Sequence, residues 1–98
     1  MASGTIKQMT EYLFDDSWAF PATSINANAV ADVSKNVTKS GYTAVAFLPM
    51  TTQNANAVWI GFKPLSMSGA NTAVATLKNL ASSSQTITAR FTVIYKKN

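Results

Sequence analysis

The sequence contains neither cysteine nor histidine among its 98 residues. Without cysteine the chain can form no disulfide framework, no thiolate zinc site and no cysteine nucleophile. Without histidine it lacks the commonest general base, the most frequent metal ligand and the side chain that titrates near neutral pH. These two absences exclude several large classes of enzyme mechanism.

Carboxylates are scarce and confined to the first third of the chain, at Glu11, Asp15, Asp16 and Asp32. All but one of the eight lysines and arginines follow Val33. This imbalance could be the footprint of a surface for nucleic acid or for an anionic cell surface. The cations are scattered singly, however, apart from Lys96 and Lys97 at the C-terminal end. Scattered cations are more typical of ordinary solvation, so we favour that interpretation.

Long apolar runs are also missing, so we expect no membrane insertion. The first residues have neither the basic start nor the apolar stretch of a secretory signal, which predicts synthesis in a cytoplasm. The length suits one domain. We expect residues 1–22 to form an edge strand and lead-in, and residues 23–96 to form the core of the domain.

The clearest strand signal is the run from Ile87 to Tyr95, in which apolar and polar residues alternate. A period of two is typical of a strand with one buried face. The predicted inward residues of this run are Ile87, Ala89, Phe91, Val93 and Tyr95, with Arg90 facing outward.

Further strands are predicted between turn-forming segments, and no segment predicts a helix convincingly. In one of them we expect Val58, Ile60 and Phe62 to share a face, with Trp59 on the other. The sequence therefore predicts an all-β fold, a single-domain β-sandwich of jelly-roll type with about six to eight strands. The predicted segments are Thr5–Phe14, with a turn at Asp15–Ser17, then Ile25–Val37, Tyr42–Leu48, Val58–Phe62, Thr72–Leu80 and Ile87–Tyr95.

Candidate catalytic groups are few and poorly arranged. Asp15 and Asp16 are adjacent, and neighbours on a strand or turn point apart, which does not suit an acid/base pair. The pairs Ser34-Lys35 and Lys39-Ser40 are read more simply as parts of a strand and a turn. We therefore predict no enzyme activity and no catalytic, cofactor-binding or metal-binding residue.

Residues for contact with a ligand or another subunit are predicted instead, among exposed aromatic and amide side chains. Trp59 could pack inside the chain, lie in a subunit contact or face a ligand. The pentapeptide Asn-Ala-Asn-Ala-Val occurs twice, at 26–30 and 54–58, and we interpret this as a coincidence in a chain rich in Ala and Asn. The candidate contact residues are Trp59, Tyr42, Phe47, Asn54 and Asn56.

Three segments resemble a known family. They are Lys39–Val45, which opens a strand on Gly-Tyr, the Leu77–Ser84 turn, and the closing Thr/Val-rich strand Gln85–Tyr95. Over roughly residues 24–95 the chain is similar to the C-terminal head domains of receptor-binding proteins in phage and prophage tail fibres and baseplates. The resemblance implies a virion tail protein that forms a trimer, contacts other tail proteins and binds a host-surface saccharide or protein.

Three alternatives remain at this point: a small structural virion protein without receptor binding, a glycan-cleaving tail component, and a basic nucleic-acid-binding domain. Glycan cleavage needs two carboxylates about 5–10 Å apart, which four acids in one third of the chain supply poorly. Nucleic-acid binding would show a steep loss of affinity with salt. We expect neither of the last two.

Overall fold

The computed structural model of the chain describes residues 11–63 and 71–98. These residues form strands and no helix, and none of them belongs to a helix that could cross a membrane. The strands are β1 (Tyr12–Ala19), β2 (Thr23–Ile25), β3 (Val30–Asn36), β4 (Tyr42–Pro49), β5 (Ala57–Phe62), β6 (Thr72–Asn79), β7 (Gln85–Ile87) and β8 (Arg90–Lys97).

All strand pairs are antiparallel, and the strands form two three-stranded sheets joined by a short two-stranded one. We name the larger sheets after their central strands: the β8 sheet has the order β1-β8-β4, and the β6 sheet has the order β3-β6-β5. Strands β1, β2 and β3 pair in that order with β8, β7 and β6. The two chain segments therefore form one long two-stranded ribbon that passes from one sheet to the other. This wrapping confirms the predicted β-sandwich of jelly-roll type.

The core lies between the two sheets and is built from alternate residues of their central strands. On β8, Phe91, Val93 and Tyr95 are fully buried, as the alternation predicts. On β6 the buried positions begin with the small residues Ala73 and Ala75, which leave room for aromatic rings from the facing strands. The hydroxyl of Tyr95 donates a hydrogen bond to the carbonyl of Val37 (2.5 Å), which satisfies the one polar atom of this buried ring.

The segment predicted as one strand from Ile25 to Val37 is in fact two strands separated by a turn. Ala29 N–H donates to the carbonyl of Asn26 (3.1 Å), and Asn28 has a φ of 57°. Asparagine tolerates this left-handed conformation better than other residues with a β-carbon. The prediction was wrong because the alternating alanines mimic a strand, although Ala27 is exposed in the turn.

The N-terminal strand also differs from the prediction. It runs from Tyr12 to Ala19 at the edge of the β8 sheet, and the earlier part of the predicted strand lies outside the described residues. Asp15–Ser17, predicted as a turn, lies inside β1 at a bulge against β8. The Asp15 carboxylate accepts hydrogen bonds from Ser17 N–H (3.0 Å) and Ser17 Oγ (2.6 Å), and these lower its pKa. Local hydrogen bonds of this kind are typical of a turn, but in this strand they stabilise a bulge.

A second bulge reverses the predicted facing of β5. Trp59 is paired with Leu77 and Phe62 with Ala75, both of them inward positions of β6, while the register shifts between Trp59 and Gly61. Trp59 and Phe62 therefore both face the core, and Ile60 is exposed on the outside. The prediction that Phe62 shares a face with Val58 and Ile60 was wrong, because a bulge adds one residue to the strand. Each later residue of the strand then faces the opposite side of the sheet from the one that regular alternation predicts.

An ion pair on the outer face of the β6 sheet predicts a pH effect on stability. Lys63 Nζ lies 2.8 Å from Asp32 Oδ2, and the Thr76 hydroxyl donates to Asp32 Oδ1 (2.6 Å). The hydrogen bond from Lys63, followed by that from Thr76, lowers the pKa of the Asp32 carboxyl below its ordinary value of 3.8. Because the folded pKa lies below the unfolded one, this contribution is present above about pH 4 and is lost as pH falls through the folded pKa.

We therefore expect Asp32→Asn to flatten the loss of stability on acidification, as measured by urea unfolding between neutral pH and about pH 2.5. Asp16→Asn serves as the control, because Asp16 is an exposed carboxylate of the bulged edge strand. If the free energy of unfolding of Asp32→Asn fell as steeply on acidification as that of the wild type, this role for the ion pair would be contradicted.

Candidate functional site

Five connections of the described chain gather at one end of the sandwich, which we call the loop end and define as residues 20–29, 50–56 and 80–89. Hydrogen bonds join its parts: Asn28 N–H donates to Ala81 O (3.2 Å), and Leu80 N–H donates to Asn56 O (2.7 Å). The loop end contains no charged residue. Its carboxamide side chains are those of Asn26, Asn28, Gln53, Asn54, Asn56 and Gln85, and its hydroxyl groups include those of Ser82, Ser83 and Ser84.

A buried asparagine at the end of β6 fixes the loops in place. Asn79 Nδ2 lies within hydrogen-bond distance of the carbonyls of Ile25 (2.9 Å), Asn26 (3.3 Å) and Ser83 (3.0 Å). Its Oδ1 accepts from Ala81 N–H (2.9 Å). One carboxamide therefore links the end of β2 and the β2–β3 turn to the β6–β7 connection, and it gives a hydrogen-bond partner to the buried carbonyl of Ile25.

The two copies of Asn-Ala-Asn-Ala-Val lie on either side of β6 at this end. Each copy forms a turn closed by the same hydrogen bond, from Ala29 N–H to Asn26 O and from Ala57 N–H to Asn54 O, both 3.1 Å. The last residues of the copies, Val30 and Val58, are both paired with Lys78 of β6. The interpretation of the repeat as a coincidence missed this, because the equivalence depends on a strand pairing that lies outside both copies.

The two predicted contact residues Asn54 and Asn56 lie in this loop end. Asn54 is half-buried and holds the β4–β5 loop, because its Nδ2 is 3.4 Å from Gln85 Oε1 and from Thr86 O. Its Oδ1 accepts from Asn56 N–H (2.9 Å). The Asn56 side chain is exposed. Asn54 therefore supports the loop, and the Asn56 side chain is open to solvent.

The predicted contact residues Trp59 and Phe47 lie inside the sandwich, in an aromatic cluster beneath the loop end. The Trp59 ring stacks on Phe62 at 5.1 Å, and Phe47 lies 5.4 Å from the same ring. Trp59 Nε1–H donates to the carbonyl of Met50 (3.1 Å). Of the three roles considered for Trp59, these contacts support packing within the chain, where it anchors the β4–β5 loop from below.

Tyr42 lies at the opposite end of the sandwich, where β4 begins. Its ring meets Tyr95 edge-on at 6.1 Å, and its N–H donates to Lys39 O (3.1 Å). The structure therefore brings Asn54 and Asn56 together, places Trp59 and Phe47 beneath them, and leaves Tyr42 apart. Sequence reasoning missed Asn28 and Leu80, although the repeated pentapeptide is a signal that singles out Asn28.

The candidate catalytic pairs lie on strands and loops without a shared centre. Ser34 and Lys35 are neighbours on β3, so their side chains leave the strand in opposite directions. Within residues 11–63 and 71–98, no group of three metal-ligating side chains comes together.

A second exposed surface lies on the outer face of the β8 sheet. Phe14 of β1, Ile94 of β8 and Ala46 of β4 are paired across the sheet on this side. Phe14 is 65% exposed, and Tyr12 and Leu48 are also exposed. We call these five residues the apolar face; exposed apolar groups in one area of a sheet are typical of a contact surface.

Comparisons with known protein families, curated proteins and solved structures found no match for this chain.

Proposed function

We propose that the chain is a non-catalytic binding module of a phage tail, and that it recognises a component of the host cell surface through its loop end. The observation that carries this proposal is the loop end itself: uncharged and rich in carboxamide and hydroxyl groups. Such groups donate and accept hydrogen bonds without the desolvation cost of a charge. The resemblance in Lys39–Val45, Leu77–Ser84 and Gln85–Tyr95 supplies the phage context.

The rigidity of the loop end supports binding rather than a merely solvated surface. Asn79 holds the β2–β3 and β6–β7 connections, Asn54 holds the β4–β5 loop, and Trp59 braces it from the core. A surface that is already ordered loses little conformational entropy when a ligand binds. Loops carried by a rigid sandwich commonly serve as binding sites.

The test is the binding of the fluorescently labelled chain to a panel of bacterial strains. We expect binding to a subset of strains, and we expect Asn56→Ala to reduce it about tenfold, the effect of losing roughly 1.4 kcal/mol of binding free energy. Asn36→Ala is the matched control, since Asn36 is an exposed asparagine at the far end of β3. Binding to no strain, or equal binding by the two variants, would contradict the proposal.

Assembly is a second part of the proposal. We propose that the chain forms a homo-oligomer, a trimer, in which the apolar face and the β4 strand lie close to the subunit contact. Burial of Phe14 and Leu48 between like subunits would remove exposed apolar surface from water. We expect light scattering to give three times the monomer mass, and Phe14→Lys to shift the protein to a monomer that still folds. A wild-type chain that remains monomeric at micromolar concentration would contradict this part.

The apolar face also favours one alternative, a structural virion protein that contacts other tail proteins without touching the host. The two functions separate in the cell-binding experiment. A structural protein would assemble through the apolar face and would leave every strain in the panel unlabelled.

A further inference from the structure

The two Asn-Ala-Asn-Ala-Val turns lie on either side of β6, at the same end of its sheet. β3 and β5 are both antiparallel to β6, so they run in the same direction. Val30 and Val58 meet the same residue, Lys78, from either side. Adjacent strands lie about 4.8 Å apart, so β3 and β5, on either side of β6, are about 10 Å apart where the two copies end. The loop end therefore presents the same short peptide twice with the chain running in the same direction. The two turns differ in conformation at their third residue, because φ is 57° at Asn28 and is not positive at Asn56.

The third residue of each copy is an exposed asparagine. Asn28 and Asn56 are exposed, and they flank the Leu80-Ala81 segment through the backbone hydrogen bonds described above. Within residues 11–63 and 71–98, no hydrogen bond occupies the side-chain carboxamide of either residue. The first asparagine of each copy is engaged in the fold instead, Asn54 with Gln85 and Asn26 with Ser84.

An exposed apolar residue lies on the chain segment that joins the two turns through backbone hydrogen bonds. Leu80 follows the inward-facing Asn79 and is 52% exposed. Each carboxamide can both donate and accept, which matches the vicinal hydroxyls of a sugar, and an exposed apolar side chain can pack on the C–H face of a sugar ring. The nearest charge along β6 is that of Lys78, two residues before Leu80, and the loop end itself offers no charged residue to a ligand, which suits a neutral one.

We propose that Asn28 and Asn56 form two subsites for a linear, neutral polysaccharide that runs across the strand ends. The strand separation of about 10 Å is close to the length of two linked pyranose rings, so sugars two positions apart in one polymer reach the two subsites. This inference rests on the proposed function and names its ligand class.

Two substitutions remove the carboxamides without disturbing the turns. Asn28→Gly keeps the left-handed backbone of that turn, since glycine adopts a φ of 57° freely. Asn56→Ala suffices in the second copy, where the described backbone angles show no positive φ at that position. Thermal unfolding by circular dichroism should show that both variants, and the control Asn36→Ala, remain folded.

The experiment is an affinity series on neutral linear oligosaccharides of two, four and six sugars, built on glucose, galactose, mannose and N-acetylglucosamine. We expect the wild type to bind the four-sugar form of at least one series about tenfold or more tightly than the two-sugar form. Each single variant should lose that advantage and bind both lengths about equally, because one subsite remains. The control should retain the full length dependence.

Two results would overturn the inference. One is wild-type affinity that does not depend on length, or no binding to any series. The other is a length dependence that survives in both variants. Whole-cell binding separates the inference from the proposed function: if cells bind and protease treatment of the cells abolishes binding, the ligand is a protein. The inference then fails while the proposed function stands.

Discussion

Phe91→Asp is expected to leave no soluble folded protein, whereas Arg90→Asp should fold with nearly wild-type stability. Phe91 is fully buried at the centre of the aromatic cluster, stacked on Phe20 at 4.4 Å and 5.8 Å from Phe62. An unpaired carboxylate in that position costs several kcal/mol, which is comparable with the whole free energy of unfolding of a small domain.

The neighbouring position supplies the control, because Arg90 points to the other face of β8. Its guanidinium is only partly buried and makes one long contact, 3.5 Å, to the carbonyl of Asp16. A surface change of this kind usually alters stability by less than about 0.5 kcal/mol.

Soluble yield and far-ultraviolet circular dichroism give the first comparison. Phe91→Leu adds a graded one, because a smaller apolar side chain should fold but lose about 1–3 kcal/mol in urea unfolding. If Phe91→Asp were as soluble and stable as Arg90→Asp, the facing of β8 would be wrong.

The facing of β8 could be predicted from the sequence because strand periodicity is a local property. In the run from Ile87 to Tyr95, every predicted inward residue is buried. The break between β7 and β8 does not disturb the pattern, because Ala89 stays inward and its carbonyl accepts from Phe20 N–H (2.9 Å). Alternation therefore predicts the buried residues correctly even across a bend between two strands, provided that no extra residue is inserted.

Bulges and turns are where this reasoning fails. The extra residue at Ile60 in β5 places Trp59 and Phe62 on one face. The local signal for this bulge is Gly61, which an argument from alternation alone does not use. The turn at Asn28 is hidden for a similar reason, because the alternating alanines around it fit either a strand or a turn. Both features are set by pairing with β6, and that pairing is distant in sequence.

The candidate site also has features that the sequence predicts locally and features that depend on distant strand pairing. Asn54 and Asn56 could be singled out by residue type, since exposed amides are common in binding loops. Their equivalence with the Asn26–Val30 turn could not, because it requires the knowledge that Val30 and Val58 share Lys78 as a partner. The residue type of Trp59 predicts a contact with a ligand or another subunit. Whether its side chain is buried, however, depends on the register of β5 against β6, and that register directs it into the core.

The second large effect is expected at Asn79, the buried polar side chain at the end of β6. Asn79→Leu keeps the approximate shape but removes every hydrogen bond of the carboxamide. The carbonyls of Ile25 and Ser83 and the N–H of Ala81 then lose their partner. An unsatisfied buried group costs about 1–3 kcal/mol, and the part-buried groups of Ser83 and Ala81 cost less than the buried carbonyl of Ile25, so we expect a loss of about 3 kcal/mol in urea unfolding.

Asn79→Asp separates the loss of donors from the loss of shape. A carboxylate can still accept from Ala81 N–H, but it faces the carbonyls of Ile25, Asn26 and Ser83 with no hydrogen to donate. We expect Asn79→Asp to be less stable than Asn79→Leu at neutral pH, and to recover part of the difference as acidification protonates the buried carboxyl.

Hydrogen exchange locates the effect, because in Asn79→Leu the amides of Ala29 and Ala81 should lose protection before those of β8. Asn36→Leu, at an exposed position of β3, should leave the exchange at both amides unchanged. If instead Asn79→Leu matched the wild type in urea and in exchange, the carboxamide would not be what fixes the loop end. The ordering of the two Asn-Ala-Asn-Ala-Val turns would then have to come from the β6 ladder alone.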